Sequence, residues 1–446
     1  MDRLFPFVTA CLLLGFTARG ENSPKTITSK LDPLEQWGQW RGPLSTGEAP
    51  RGNPPLEWSE KKNIRWKTAI PGKGHASPIV WGNQVFVLSA VPHGEKLKVP
   101  EQPPGAHNND DPDRKTKFVA LALDRRSGKI LWQTIVRNAQ PHQSTHESGT
   151  WASASPVTDG QRIYAFFGSN GLYCLSTEGK LIWEKDFGDM QVKHGHGEGA
   201  SIALHGDTLV VNWDHEGDSF VVALNAMTGK ERWRQPRDEG TSWATPIIVA
   251  VDGKPQAIVS GTTAVRGYDL ATGKVVWTCG GLSKNVVASP VSANGMLFAG
   301  SSYEKQALLA IRLTGAKGNL NGTTNFPWFR RQRTPYVPSP LLYRDHLYFL
   351  RHYQAILTRL VAKTGEEASG PFRLPELLNL YASPVAADGR IYLTDQQGLT
   401  LVLEATAEPE ILGLNKLDEA VNASAAIAGK ELFLRGKKHL YCISTE

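Results

Sequence analysis

The sequence is poor in cysteine, in runs of like charge and in long apolar segments. Only four of its 446 residues are cysteine, and Cys11 lies in an N-terminal segment that we expect to be removed. The remaining Cys174, Cys279 and Cys442 are an odd number in an oxidising compartment, so a disulfide framework is not expected and stability must come from packing. A net charge of +6 is small for this length, and no Lys/Arg run is present. We therefore expect no nucleic-acid partner.

The one long apolar run is at the N-terminus. Residues 4–16 follow Arg3 and precede a small residue, Gly20, which is typical of a secretory signal peptide. We predict a signal peptide over residues 1–20, cleaved near Gly20, and a secreted or periplasmic protein. A buried N-terminal helix and a lipid anchor at Cys11 are the alternatives. No other segment is apolar over a length that would span a membrane.

The abundant glycine and tryptophan belong to an internal repeat. A small residue followed by Ser or Thr, and usually Pro, precedes a short apolar strand at eight places, most of them 41 to 50 residues apart. The middle residues of these segments are Ser77, Ser155, Ser201, Thr245, Ser289, Ser339, Ser383 and Ser424. The first interval is longer, 78 residues, chiefly because a polar stretch over residues 91–117 is inserted.

A second signature lies downstream in the first four units. A Gly-Lys hairpin leads into a strand that ends in Trp, as in residues 127–132 and 272–277. Gly supplies the positive φ that a tight hairpin needs, so the repeated Gly-Lys is better explained by a turn than by a phosphate loop. A unit of about 44 residues with four short strands is typical of a propeller blade.

The two ends of the chain predict how the ring closes. Residues 440–446 match residues 172–178 and stop just before the strand that ends in Trp, whereas residues 62–66 resemble that missing strand. We predict an all-β fold, an eight-bladed β-propeller of four-stranded antiparallel blades, whose last blade is completed by the N-terminal strand. The predicted parts are a signal peptide (1–20), an N-terminal arm (21–57) and the propeller (58–446), with the 91–117 insertion in blade 1.

These residues resemble the PQQ-like (pyrroloquinoline quinone) β-propeller repeat family. The resemblance rests on the Ala-rich Ser-Pro segments, on the hairpins that begin at Asp124 and Asp269, and on Gln39-Trp40-Arg41-Gly42-Pro43. It covers about residues 37–446 and implies the propeller fold. The family includes the assembly scaffold BamB and quinoprotein dehydrogenases, and one fold serves unrelated tasks.

The resemblance favours the scaffold branch. The vicinal cysteine pair and the CxxCH haem motif of quinoprotein dehydrogenases do not occur in this sequence. We expect a non-catalytic, monomeric, BamB-like scaffold that binds a protein or peptide and needs no metal or cofactor. The alternative is an oxidoreductase of alcohols or sugars that uses PQQ and Ca²⁺. A third hypothesis is saccharide binding, suggested by Trp151, Trp213 and Trp243.

The loops that enter each innermost strand and those between the second and third strands should meet at one mouth of the ring, the predicted binding face. The ligand-binding residues that we predict at this mouth are His75, His146, Glu147, His194, His196, Glu198, Trp213, Asp214, His215, Trp243, Arg333, Tyr336, Arg351 and Tyr381. Other residues of these loops are Asn285, Tyr303, His352, Tyr353 and Asn422.

Three stretches at this mouth have alternative interpretations. His194 and His196 with Glu198 have the composition of a transition-metal site, but alternate residues of an extended strand point apart, which favours a polar channel lining. Residues 214–218 hold three carboxylates, which we interpret as a solvated hairpin tip. The Arg-rich residues 328–336 predict either an anionic small ligand or, preferably, charges offset by nearby acids.

Overall fold

The computed structural model describes Met1 and residues 31–445. Met1–Leu31 and Asp32–Glu446 are two separate units. Apart from Met1, the predicted signal peptide lies outside the described residues, as do its cleavage near Gly20 and the alternatives that involve Cys11. The described helices are three short 3₁₀ segments at Pro33–Glu35, Gly168–Asn170 and Lys193–Gly195. Among the described residues, none of the helices has the length and hydrophobicity to span a bilayer.

Eight antiparallel sheets follow one another around a ring, each with its shortest strands near the axis. From the axis outward, blade 1 consists of Ile79–Trp81, Gln84–His93, Lys115–Asp124 and Ile130–Ala139. Blade 2 consists of Val157–Thr158, Arg162–Phe166, Leu172–Ser176 and Leu181–Lys185. Blade 3 consists of Ala203–His205, Thr208–Trp213, Phe220–Asn225 and Glu231–Pro236. Blade 4 consists of Ile247–Val251, Lys254–Val259, Ala264–Asp269 and Val275–Gly280, and Gly318–Asn319 adds a parallel fifth strand.

The second half of the chain repeats the arrangement. Blade 5 consists of Val291–Ala293, Met296–Ser301, Ala307–Arg312 and Trp328–Arg330. Blade 6 consists of Leu341–Tyr343, His346–Leu350, Ile356–Val361 and Glu367–Arg373. Blade 7 consists of Val385–Ala387, Arg390–Thr394, Leu399–Glu404 and Ile411–Lys416. Blade 8 consists of Ala426–Ala428, Glu431–Arg435, His439–Ile443 and the N-terminal strand Ile64–Ala69.

The predicted closure is confirmed. Ile64–Ala69 pairs antiparallel with His439–Ile443, with Trp66 opposite Cys442. The first and last blades also meet at the axis, because Ile79–Trp81 contacts Ala426–Ala428. The N-terminal strand therefore joins the two ends of the chain within one sheet and removes an exposed edge from each.

Outer-strand tryptophans connect neighbouring blades. The Trp132 ring of blade 1 lies against Gly179 of blade 2, and its indole N–H donates to the Thr177 carbonyl over 2.8 Å. Trp66, Trp183, Trp233 and Trp328 make the corresponding pair of contacts with the next blade. The recurring Gly and Trp of the sequence are thus two halves of one inter-blade contact.

Gly179 illustrates why glycine is needed at this contact. Its φ is +82°, and a Cβ atom there would lie 2.5 Å from the Trp132 ring. Gly253 has a similar φ of +78° with open space around the Cβ position. We expect Gly253→Ala to cost about 1–2 kcal/mol of unfolding free energy from the backbone alone. Gly179→Ala should cost about 1–3 kcal/mol more because of the clash.

Thermal and urea unfolding of the two alanine variants would measure this difference. Equal loss of stability in both variants would show that the Trp contact contributes nothing beyond the turn.

The Ser/Thr of each repeat segment forms a ring around the axis. Seven backbone N–H groups, from Ser77 to Ser383, each donate to the Ser or Thr hydroxyl oxygen of the next blade over 2.8–3.0 Å. The Ser77 hydroxyl closes the ring by donating to the Ser424 carbonyl. We call these eight residues the hydroxyl ring. They join all eight innermost strands directly.

Residues 32–57, within the predicted arm, cross the face of the ring where the innermost strands end. Trp37 bonds to Val80 of blade 1, the Gly38 carbonyl accepts from Thr158 of blade 2, and Ala49 bonds to Ala386 of blade 7. The Trp40 indole N–H donates to the hydroxyl of Ser289 in the hydroxyl ring over 3.2 Å. The arm therefore covers the axis on the side away from the predicted binding face.

Candidate functional site

A cavity of about 410 Å³ lies on the axis of the ring. Trp40 and seven members of the hydroxyl ring, all except Ser77, form its lower part. The other lining residues are His75, His107, Asn108, Thr145, His146, Ser148, Gly149, Ser153, His194, His196, Gly197, Glu198, Gly199, Trp243, Asn285, Val287, Tyr303, Tyr336, Val337, Tyr353, Tyr381 and Asn422. This volume is in the range of about 300–1,000 Å³ that is typical of small-molecule sites.

The blade 1 insertion contributes to the rim of this cavity. Asn109–Asp110 forms a two-residue strand with Thr145–His146. The Asn109 amide donates to the His194 carbonyl, and the Glu147 N–H donates to the Asn108 carbonyl. The insertion is therefore an ordered part of the binding face.

Four imidazoles cluster at this rim. The ring centroids of His107, His194 and His196 are 4.9–5.4 Å apart, and His146 is 4.8 Å from His196. The sequence predicted that His194 and His196 point apart, but the 3₁₀ turn at Lys193–Gly195, with His194 at φ 57°, places the two rings together. Despite this, within the described residues no three His, Cys, Asp or Glu side chains are arranged to hold a metal ion.

Burial keeps several of these imidazoles neutral. Burial, and to a smaller extent the neighbouring histidines, lower the pKa of His196 to about 4. Burial also lowers the pKa of His75 to about 4. The hydrogen bond between its Nδ1 and the Ser148 carbonyl oxygen raises this pKa, but by less than burial lowers it. The pKa of His146 is lowered for the same main reason. At pH 7 these three side chains are therefore uncharged donors and acceptors.

We expect the protein to lose stability as the pH falls from about 6.5 to about 4. The unfolded chain binds protons at His75 and His196 throughout this window, whereas the folded protein does not until the pH nears 4. Stability is thus complete above the unfolded pKa and decreases as the pH is lowered. Thermal unfolding at pH 7.5 and pH 5 would show a midpoint several degrees lower at pH 5.

The variant His75→Gln/His196→Gln is the control for this pH dependence. Burial raises the pKa of Glu198, a shift that acts in the opposite direction, and both proteins retain it. The variant should show a smaller decrease than the wild type between the two pH values. Equal decreases would contradict the assignment to these histidines.

Glu198 provides the only carboxylate among the described lining residues, and it already has partners. Its two oxygens accept from the backbone N–H and the hydroxyl of Ser169. The Ser169 hydroxyl oxygen in turn accepts from the Met190 N–H. Glu198 therefore connects the loop that leads into blade 3 with Ser169 of blade 2, and burial raises its pKa.

Eight of the predicted site residues line the cavity. They are His75, His146, His194, His196, Glu198, Trp243, Tyr336 and Tyr381. They come from the loops that lead into six blades and meet because these loops lie at the same face of the ring. Whether they bind a ligand is part of the proposals below.

Three predicted site residues are in the protein interior instead. Trp213 is only 2% exposed and stacks on Phe220 in the core between blades. Asp214 is completely buried and accepts two hydrogen bonds from Arg237, 2.7 and 3.0 Å long. His215 accepts at Nδ1 from the Gln191 N–H. The expectation of a solvated hairpin tip was thus wrong for Asp214 and His215, because neighbouring loops supply a cation and a donor, whereas Glu216 and Asp218 are exposed.

Three further predicted residues lie outside the cavity lining. Glu147 is exposed. Arg333 is exposed and pairs with Glu367, as does Arg330. Arg351 is also exposed. Two of the three arginines of the Arg-rich stretch therefore share one acid, in line with the preferred interpretation, and Arg331 lies over the Phe329 ring.

Sequence reasoning missed several lining residues. Trp40 was assigned to an arm outside the propeller, and His107 and Asn108 were hidden in the insertion. The Ser and Thr residues of the hydroxyl ring were recognised in the sequence as a repeat signature, but not as residues that line a cavity. Of the three tryptophans that suggested a saccharide, only Trp243 lines the cavity, because Trp151 donates to the Gln143 carbonyl and Trp213 is in the core.

Comparison with known families gives a match along most of the chain. A family model described as outer membrane protein assembly factor BamB matches residues 56–185, 115–369 and 217–446. Among curated proteins, a polyvinylalcohol dehydrogenase from a Pseudomonas species is 23% identical over 288 residues. That alignment covers 55% of this chain and only 40% of the dehydrogenase.

Solved structures support the fold. BamB from Moraxella catarrhalis superposes with a TM-score of 0.51 at 14% identity, covering 80% of this chain and 98% of that one. The C-terminal WD40 domain of Sif2 gives a TM-score of 0.50 at 10% identity, with coverage of 80% and 98%. At these identities the likeness shows a β-propeller and nothing about function.

Proposed function

Because the chain belongs to the family described as outer membrane protein assembly factor BamB, we propose that it is a non-catalytic binding scaffold of a secreted or periplasmic compartment. The observation that carries this proposal is the chemistry of the axial cavity. Its described lining consists of aromatic rings, hydroxyls, amides and imidazoles, and its one carboxylate is bound to Ser169. Ser148 Oγ is 2.7 Å from His146 Nδ1, but among the described residues no carboxylate is hydrogen-bonded to this imidazole to orient it, so the nucleophile, base and orienting acid of covalent catalysis are not all present.

The partner that we propose is a protein or peptide held at the loop-rich face or along a blade edge. At that face Tyr303 is 63% exposed. The outer strand of blade 1, Ile130–Ala139, is ten residues long and exposes Leu131 and Ile135. Long sheet edges with exposed apolar side chains are surfaces on which extended peptides add a strand.

Selection of a displayed random-peptide library against the intact protein would test the two surfaces. Binding of the enriched peptides should weaken in Tyr303→Ala if they use the loop-rich face, or in Ile135→Lys if they use the blade 1 edge. Met227→Lys, at an exposed hairpin of blade 3, is the matched control. Peptides that bind equally to all three variants, or no enrichment at all, would contradict the proposal.

A quinoprotein oxidoreductase is the second candidate, and the similarity to a polyvinylalcohol dehydrogenase favours it. Pyrroloquinoline quinone carries three carboxylates, and Ca²⁺ is usually held by several oxygen ligands that include carboxylates. The described lining of the cavity contains no Lys, Arg or Asp, and Glu198 is already bonded. These residues do not fit the quinone and its metal, so no catalytic step is derived for them.

Dye-linked oxidation assays would discriminate the two candidates. After incubation with pyrroloquinoline quinone and Ca²⁺, we expect no turnover of primary alcohols, glucose or polyvinyl alcohol above the rate without protein. Sustained, quinone-dependent turnover would overturn the non-catalytic assignment.

A further inference from the structure

The floor of the axial cavity offers a set of unused hydrogen-bond donors. Each of the seven hydroxyl-ring members that line it accepts a backbone N–H from the neighbouring blade. Within the described chain, none of these seven hydroxyls donates to a protein acceptor, unlike Ser77, which is outside the lining. Seven hydroxyl groups therefore converge on one space with their protons available to a ligand.

One wall of the cavity is aromatic. Tyr303 stacks on Tyr336 with centroids 5.6 Å apart, and Tyr353 stacks on Tyr381 at 5.6 Å. His352 connects the two pairs, at 4.5 Å from Tyr336 and 4.9 Å from Tyr353. Rings held by one another in this way present fixed flat surfaces, which lose little entropy when a ligand packs on them.

The backbone holds parts of this wall in an unfavourable conformation. Tyr303 has φ 72° and His352 has φ 61°, values that non-glycine residues rarely adopt. Two residues elsewhere in the lining, His194 and Asn285, also have positive φ values, 57° and 64°. Such strain persists where the surrounding structure imposes it, and it is found most often at binding sites.

The lining also carries few charged groups, and its one acid among the described residues, Glu198, is hydrogen-bonded to Ser169. The lining contains no Lys, Arg or Asp among the described residues, and burial raises the pKa of Tyr336 and Tyr381, so their hydroxyls stay protonated donors. A buried cation would find only the hydrogen-bonded Glu198 there, and a buried anion no Lys or Arg, so a charged ligand would lose its hydration with little compensation, which is costly. The buried Arg435, whose guanidinium nitrogens have no hydrogen-bond partner in the described chain, is not part of the lining.

We propose that the axial cavity binds a neutral saccharide, with a sugar face on the Tyr336, Tyr353 and Tyr381 wall and its hydroxyls on the hydroxyl ring. A pyranose combines an apolar C–H face with a rim of groups that both donate and accept hydrogen bonds, which matches the two parts of this lining. The cavity volume admits a disaccharide. The inference rests on the non-catalytic role proposed above, since the sugar is held and not oxidised.

Calorimetric titration of the intact protein tests this assignment. The probes are the neutral disaccharides cellobiose, maltose and diacetylchitobiose, the acidic digalacturonate and the basic, deacetylated chitobiose. At least one neutral probe should bind with one-to-one stoichiometry at millimolar or lower concentration, and tighter than both charged probes.

Variants of the aromatic wall test the position of the sugar. Tyr353→Ala should weaken binding about tenfold, whereas Tyr353→Phe, which keeps the ring, should stay within about threefold of the wild type. Tyr381→Ala should behave like Tyr353→Ala. Met227→Ala, at an exposed hairpin of blade 3, is the control and should bind like the wild type. Thermal unfolding of each variant verifies that it is folded.

Three results would overturn the inference. The first is that no neutral probe binds. The second is that the acidic probe binds more tightly than the neutral ones, which would indicate an anion site and implicate Arg435. The third is that folded Tyr353→Ala and Tyr381→Ala bind with unchanged affinity. None of these three results would contradict the non-catalytic assignment, which fails only if quinone-dependent turnover is found.

Discussion

Deletion of residues 58–70 is expected to abolish cooperative unfolding of the propeller. The deleted segment contains Ile64–Ala69, the outer strand of blade 8, so its loss exposes the edge of His439–Ile443 and opens the ring between its first and last blades. Trp66 is lost with it, including the hydrogen bond from its indole N–H to the Arg125 carbonyl and its contact with Gly128. Calorimetric unfolding should show a broad, low transition or none.

Point variants refine this test. Trp66→Ala removes a side chain that is 8% exposed and should cost about 3–5 kcal/mol of unfolding free energy. Leu131→Ala, at an exposed position of the blade 1 outer strand, should change it by less than about 0.5 kcal/mol. Adding a synthetic peptide of residues 58–70 to the deletion variant should restore part of the stability. A deletion variant as stable as the wild type would contradict closure by the N-terminal strand.

Arg237→Met is expected to destabilise blades 3 and 4 strongly. Arg237 and Asp214 are both completely buried and form a two-bond ion pair, and Arg237 also donates to the Tyr268 hydroxyl over 2.7 Å. Burial alone would lower the pKa of Arg237, but the Asp214 carboxylate raises it, which keeps the guanidinium charged. Removing one partner leaves the other charge buried without compensation, at a cost of about 3–5 kcal/mol.

Two comparisons check this value by urea unfolding. The double variant Asp214→Leu/Arg237→Met should regain most of the loss, because it leaves no unpaired charge. Arg234→Met, which breaks an exposed pair with Glu231, should cost no more than about 1 kcal/mol. A similar, small effect of Arg237→Met and Arg234→Met would show that the buried pair is not important for stability.

The fold could be predicted from sequence because its determinants are local and repeated. Gly179 and Trp132 can each be recognised from the residues next to them in the sequence. Because this local pattern recurs along the chain, recognising it in one unit locates the other blades. Closure by residues 64–69 was predictable because the last unit visibly lacks one strand. In blades 6 and 7 the tryptophan position is occupied by Ser369, opposite Arg359, and by Gly413, opposite Val402, so the strand pattern persists there without the aromatic ring.

Only part of the site could be predicted from the sequence, because its residues lie in different blades and come together only when the ring is formed. Loop positions correctly placed His75, Tyr336 and Tyr381 at one cavity, yet they did not show that Asp214 faces Arg237 in the next loop. Trp40 could not be found at all from local pattern, since it reaches the axis only because the arm crosses beneath the blades. Orientation of single side chains depends on such long-range contacts.

Equilibrium titration with pyrroloquinoline quinone in the presence of Ca²⁺ tests the central claim, a binding cavity that is not built for quinone catalysis, most directly. Calorimetry on the intact protein should detect no stoichiometric binding, because the described lining supplies neither cations for the quinone carboxylates nor a free carboxylate for the metal. One-to-one binding with a micromolar or lower Kd, lost when Ca²⁺ is chelated, would contradict the claim and establish the quinoprotein alternative.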